Sequence, residues 1–219
     1  MEENENLPKS IKLVFLGDSR VGKTSLYSSI LDSEFADDVL KTIGNEGSET
    51  RFTLQNGHNI KLTLWDTPGQ ERFRSVSLYP VKVCHGIIFV FELTSRKSFE
   101  NINVWLDLVK EVCTNQKMVL FGNKADEDKS KWQVTREEIE AYAKKMNFKY
   151  FDTSAKTGQG VDEGISYIVN ESYPIALERV KNLNIKLKRD EDEYVVGNGC
   201  LGKKKKIKKR RKENSLKII

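Results

Sequence analysis

The chain has 219 residues, of which 38% are apolar and 32% charged, with a net charge of +5. That is enough for one domain with a sizeable core plus a tail, and no run approaches the ~18 apolar residues of a membrane span. Cys84, Cys113 and Cys200 form neither a C-x-x-C pair nor an even-numbered framework, which argues against a disulfide scaffold and for a reducing compartment.

Residues 1–9 read as a flexible leader, too acidic and polar for a secretory signal. Ile11 to Leu16 is a mostly apolar strand, and Ser25 to Leu31 reads as helix. Between them stands Gly17-Asp18-Ser19-Arg20-Val21-Gly22-Lys23-Thr24, a full match to G-x-x-x-x-G-K-[ST] in the strand, loop and helix order that motif requires. Glycines at both ends let the backbone curl so that successive N–H groups face an anion, and the helix adds its positive end. Lys23 is placed as a point charge for outer phosphates, and Thr24 offers a hydroxyl to magnesium.

Asp32 to Gly47 is polar and aperiodic and reads as an exposed loop. Thr50–Leu54 and Ile60–Leu64 alternate about Asn56-Gly57, a hairpin pattern. Asp66 follows an apolar strand, where a carboxylate holds magnesium, in this reading through water. In the turn-rich segment beyond it, Gly69 leaves room for a backbone N–H at a terminal phosphate. Gln70 is suited to orient an attacking water.

Gly86 to Phe91 is a continuous apolar strand that follows Cys84 and His85. Cys84 and Cys113 read as packing residues, and His85 as packed or hydrogen-bonded. Val104, Trp105, Leu108, Val109 and Val112 then recur at helical spacing, with Trp105, Phe89, Phe91, Phe121 and Phe151 taken as core. Met118 to Phe121 is the next strand and runs into Asn123-Lys124-Ala125-Asp126. An aspartate there accepts two hydrogen bonds from the N1 and 2-amino groups of guanine, a pattern adenine lacks. Lys124 is placed along the base, and Asn123 braces the loops.

Thr135-Arg136-Glu137-Glu138 is a capping box opening a helix to Met146. Phe148 to Phe151 is a last short strand, followed by Ser154-Ala155-Lys156. That segment would set a backbone N–H on a base carbonyl and Lys156 over the ring. A final helix starts near Val161 and fades beyond Val180, with Pro174 expected to bend or shorten it. From about Leu183 the chain is charged and aperiodic and is expected to be disordered.

Strands alternating with helices predict an α/β protein, a mainly parallel sheet covered on both faces with one antiparallel hairpin strand. Ligands in such sheets sit beyond the carboxyl ends of the strands, where each motif named above falls. The predicted organisation is a leader over 1–9, one domain over 10–182 and a disordered polybasic tail over 183–219.

Taken together, in this order, the segments resemble a Ras-superfamily small GTPase over about residues 10–178. Trp65-Asp66-Thr67, Gly69-Gln70-Glu71-Arg72-Phe73-Arg74, Thr42-Ile43-Gly44 and His85-Gly86-Ile87-Ile88 are most similar to the Rab branch. The resemblance implies a P-loop three-layer sandwich with a six-stranded sheet, binding of GTP and GDP with Mg2+, slow hydrolysis, and work as a switch in membrane traffic. It implies Thr42 as a magnesium ligand beside Thr24 and Asp66, and Gln70 with Lys23 as the catalytic pair. Gly17 to Ser25, Gly69, Asn123, Lys124, Asp126 and Ser154 to Lys156 would line the nucleotide. Switches over 33–47 and 66–80 would meet an exchange factor, a GTPase-activating protein and effectors.

The departures from that pattern leave alternatives open. Pro68 stands where the family usually has alanine; either it stiffens the turn harmlessly or it misplaces Gln70. Arg20 replaces a small residue and either points to solvent or meets the phosphates. Gly47 takes the place of an aromatic, and Pro80 and Val81 the place of an aromatic pair, so effector identity carries over less well than nucleotide chemistry. Residues 203–212 hold nine basic side chains; thirty-seven Lys and Arg less these nine leaves twenty-eight against thirty-two Asp and Glu, about −4 for the rest. This tail is read as solvated, as a binder of anionic lipid helped by acylation of Cys200, or as a nuclear or nucleic-acid signal. No C-a-a-X box ends the sequence, so prenyl anchoring is not expected. The expected place is the cytoplasm, peripheral on endomembranes, with the nucleus open. The competing functional readings are a platform that holds GTP with little turnover, and a Ran-like nuclear carrier.

Overall fold

The computed structural model describes residues 7–31, 48–67 and 79–196, with side chains to 186. The chain divides into two compact units, Met1–Val180 and Lys181–Ile219.

In the first unit, β1 (Ser10–Leu16), β2 (Ser48–Thr53), β3 (Asn59–Trp65), β4 (Gly86–Glu92), β5 (Lys117–Asn123) and β6 (Lys149–Asp152) form one sheet in the order β2-β3-β1-β4-β5-β6. Among the described residues only the β2–β3 pair is antiparallel, as its two-strand hairpin demands. The helices are α1 (Lys23–Leu31), α2 (Tyr79–Val83), α3 (Arg96–Glu100), α4 (Ile102–Lys110), α5 (Arg136–Met146) and α6 (Val161–Val196).

Alternation along β1 splits the core. Ile11, Leu13 and Phe15 face one cluster with Leu26 and Ile30 of α1 and Ile165, Ile168 and Val169 of α6. Val14 and Leu16 face the other, with Trp105 and Val109 of α4 and Ile139 and Ala143 of α5. Helices therefore cover both faces, and the strand ends that carry the motifs lie between them. The capping box opening α5 is complete: Thr135 accepts from the Glu138 N–H while the Glu138 side chain accepts from the Thr135 N–H. Cys84 is fully buried, where desolvation pushes its thiol up to about 12, and Cys113 packs against the same cluster.

Val104 lies on α4, as its spacing predicts, and is exposed; the buried face of α4 is Ile102, Trp105, Leu106 and Val109. Two expectations about the last helix are corrected. The last helix does not fade near Val180, and residues 183–196, expected to be disordered, are helical. From Ile175 to Val196 the sequence contains no glycine or proline, so no helix breaker stands within that stretch. Nor does Pro174 shorten α6: Ile168, Val169, Ile175 and Ala176 are buried on both sides of it, and that packing outweighs the missing hydrogen bond to Asn170.

Candidate functional site

The phosphate end is shaped by backbone. β1 runs into the 17–24 turn, where Gly17 has φ 150°, Arg20 φ 67° and Gly22 φ 97°. A Cβ on Gly17 would lie 2.1 Å from the Val90 carbonyl oxygen, and one on Gly22 would lie 2.2 Å from Asn123 Nδ2. Both glycines are required by contact as well as by dihedral angle. Lys23 is 5% exposed and opens α1. Its ammonium donates to the carbonyl oxygens of Gly17 (2.8 Å) and Asp18 (2.7 Å). Burial pushes its pKa down, opposed by the charges of Asp66 and Asp18. A buried cation held by neutral carbonyls is primed for an anion at the mouth of the loop.

Thr24 and Asp66 are brought together from α1 and the exit of β3, with the hydroxyl donating to Asp66 Oδ2 at 2.6 Å. Both are exposed oxygen donors, a set suited to a hard divalent cation completed by phosphate and water. Thr67 fixes that exit, its buried hydroxyl donating to the Phe15 carbonyl at 2.6 Å.

The base end is built from side chains. Asn123 is 2% exposed at the end of β5. Its Nδ2 donates to the Val21 carbonyl (2.8 Å), while its Oδ1 accepts from the Ala155 N–H (3.3 Å) and the Thr153 hydroxyl (3.5 Å). One amide thus ties the phosphate loop to the loop after β6. Asp126 Oδ1 accepts from the Ser154 hydroxyl at 2.6 Å, and Lys156 Nζ lies 3.7 Å from Oδ2. The Ser154 hydrogen bond, more than the Lys156 charge, holds the Asp126 carboxyl below its ordinary range and keeps it an acceptor. Lys124 takes a left-handed φ of 64° and pairs with Glu92 Oε2 at 2.7 Å, while Thr94 holds the other Glu92 oxygen. A cleft of about 570 Å3, lined by Thr24, Ser25, Ser28, Ser29 and Ala155, runs from α1 to the loop after β6.

Other predicted positions differ in kind. Val21 is core, and only its backbone reaches the site. Ser19, Arg20 and Ser25 are exposed. The Asp18 carboxylate is turned onto Asn101 and Trp105. Thr42, Pro68, Gly69 and Gln70 lie outside the described residues, as do most of both switches, Cys200 and the basic tail. Sequence reasoning missed Glu92, Asn101, Thr153 and the second role of Trp105. Glu92, an acid closing an otherwise apolar strand, was the one with a local signal.

The sequence model of the Ras family matches residues 12–174. Ras-related protein Rab-13 of Rattus norvegicus is 38% identical over 161 residues, 73% of this chain and 78% of that protein. Ras-related protein RABE1e of Arabidopsis thaliana is 38% identical over 154 residues, 70% of each chain. Ras-related protein RAB1BV of Beta vulgaris is 39% identical over 154 residues, 70% of this chain and 71% of that protein.

Proposed function

Since the chain belongs to the Ras family of small GTPases and to its Rab-like branch, we propose that it binds GTP and GDP, hydrolyses GTP slowly, and acts as a switch in membrane traffic. The observation that carries this reading is Asn123. Its amide joins a loop shaped for phosphate to the loop after β6, whose Ser154 keeps Asp126 an acceptor. A ligand spanning both is a purine nucleotide whose base offers two adjacent donors, and guanine does so.

Lys23 and the backbone of residues 17–24 would hold the β- and γ-phosphates. Thr24, Asp66 and Thr42 would hold magnesium, which neutralises charge on the phosphate oxygens. Gln70 would orient a water whose oxygen bonds to the γ-phosphorus as the bond to the β–γ bridging oxygen breaks, leaving GDP and inorganic phosphate. Switches over 33–47 and 66–80 would change with that step and meet regulators and effectors. An arginine supplied by an activating protein would raise the rate about 10³–10⁵-fold. The 203–212 cluster would add attraction to anionic lipid of ~1 kcal/mol per basic residue near the surface. Sedimentation with phosphatidylserine vesicles at low and high salt reads that directly.

The test is to identify the nucleotide that co-purifies with the full chain and to follow γ-phosphate release in a single turnover with magnesium. Bound GDP and slow release support the switch. GTP retained intact would instead make the chain a platform without turnover, and ATP in its place would overturn the guanine assignment. The relatives found are Rab-related proteins, which gives the Ran-like alternative no support.

A further inference from the structure

Asp18 is a carboxylate inside a loop shaped for an anion, and its placement resolves the conflict. Both of its oxygens are occupied by neutral donors. Trp105 Nε1 donates to Oδ1 at 2.8 Å, and Asn101 Nδ2 donates to Oδ2 at 2.6 Å. Asn101 is the N-cap position of α4 and Trp105 stands four residues on, so both lie on one face of one helix. Trp105 is 6% exposed, packed in the core cluster that holds Leu16 and Phe91. The same Asp18 gives its carbonyl to the Lys23 ammonium at 2.7 Å. Its side chain is therefore tied to α4 while its backbone is tied to the phosphate-facing lysine.

We propose that Trp105 and Asn101 are positioning residues for nucleotide retention. They hold the Asp18 carboxylate turned toward α4, so that it does not oppose the phosphates, and they keep the Asp18 carbonyl where it sets Lys23. Neutral donors matter here. A cationic partner would draw phosphate or compete with Lys23, whereas an indole and an amide anchor the charge without adding another. If the clasp opens, an unpaired negative charge is left in a partly desolvated loop beside the nucleotide's own charges, where repulsion is strong. The Trp105 ring serves the core as well, so the experiment must separate packing from the hydrogen bond.

The inference rests on the nucleotide reading above, and the measurement distinguishes the two. The full chain is loaded with fluorescent mant-GDP, and its release into excess GDP is timed with magnesium, alongside thermal unfolding. Trp105→Phe keeps the ring and removes the donor; release is expected to speed up about tenfold. Asn101→Ala, at a half-buried position with little risk to folding, is expected to speed release several-fold. Adding Asp18→Asn to Trp105→Phe removes the freed charge and should bring release back to within about threefold of the wild-type rate, although no packing is restored. Val109→Ala, on the same helix but not in contact with Asp18, should lower the melting temperature without changing release. Release at the wild-type rate from both Trp105→Phe and Asn101→Ala overturns the clasp. So does a failure of Asp18→Asn to rescue, or acceleration by Val109→Ala equal to that of Trp105→Phe. Wild type that binds no mant-GDP overturns the nucleotide reading itself, and the clasp with it.

Discussion

The two ends of the candidate site are made of different material. The phosphate end is backbone: two glycines at positive φ, a turn pressed against the Val90 carbonyl, and a lysine held by main-chain oxygens. The base end is side chain: Asp126, Ser154 and Lys156 meet through their side chains, with the Asn123 amide bracing the loops that carry them. At Gly17 nothing can be added, because a Cβ meets a main-chain oxygen that cannot step aside. Side-chain geometry allows selectivity to be rewritten one group at a time. The first end is expected to fail outright when altered, and the second to change its preference.

The largest effect is expected at the first end. Gly17→Ala puts a methyl group 2.1 Å from the Val90 oxygen at a dihedral angle that L-residues rarely adopt. Nucleotide affinity measured by calorimetry should fall more than about a hundredfold, a cost above ~3 kcal/mol. An alanine accepted without loss would break the comparison.

At the second end, Asp126→Asn replaces one acceptor with a donor. GDP affinity should drop by about a hundredfold through lost charge-assisted hydrogen bonds. Affinity for xanthosine diphosphate should rise, since its C2 carbonyl accepts what the asparagine amide now offers. Competition between the two nucleotides measures that exchange. Loss of both would mean that the base end is no more adjustable than the phosphate end.

Acid sharpens the contrast by acting on neither end first. His85 is buried, with its Nδ1 accepting from the Lys12 N–H at 3.0 Å. Burial, then the charges of Arg179 and Lys12, push its pKa down to about 3. The unfolded chain takes up this proton near pH 6.5, whereas the folded chain refuses it. The His85 contribution is therefore complete above about pH 6.5 and is lost progressively as pH falls toward 3. By pH 5 the loss is about 2 kcal/mol. Denaturant unfolding at pH 7.5 and 5 should show it, and His85→Gln should remove most of the difference between the two pH values. The Asp126 carboxyl, held below its ordinary range, stays ionised over that interval, so guanine preference should outlast the loss of stability.

The smallest effect belongs to Arg20, which holds φ 67° inside the backbone-made end while its side chain is exposed. Arg20→Gly relieves that dihedral angle and should raise stability by about 0.5–1 kcal/mol, read as a melting temperature a few degrees higher. A fall would mean that the guanidinium makes a compensating contact.

Much of this was legible before any coordinates. The phosphate loop, the hairpin about Asn56-Gly57 and the capping box at Thr135 are local patterns, and local patterns carry their geometry with them. Asn123 as a brace between loops followed from its place at a strand end. What could not be read were pairings with no local trace. Trp105 meets Asp18 across 87 positions of sequence, and an apolar helix face describes Trp105 as core without saying where its N–H points. Val104 fitted the helical period but lost the buried side to Ile102 and Leu106. Order through residues 183–196 was hidden because charge density was weighed above helix propensity. α2, with Pro80 near its start, carried the signal of proline in a first helical turn and was missed.

The claim beneath all of this is that the chain grips a guanine nucleotide at both ends at once. Displacement of mant-GDP from the full chain by GDP and by ADP, under identical magnesium and salt, tests it most directly. Displacement by GDP near stoichiometric amounts, with ADP ineffective at a hundredfold higher concentration, is the predicted result; equal displacement by the two would contradict the account.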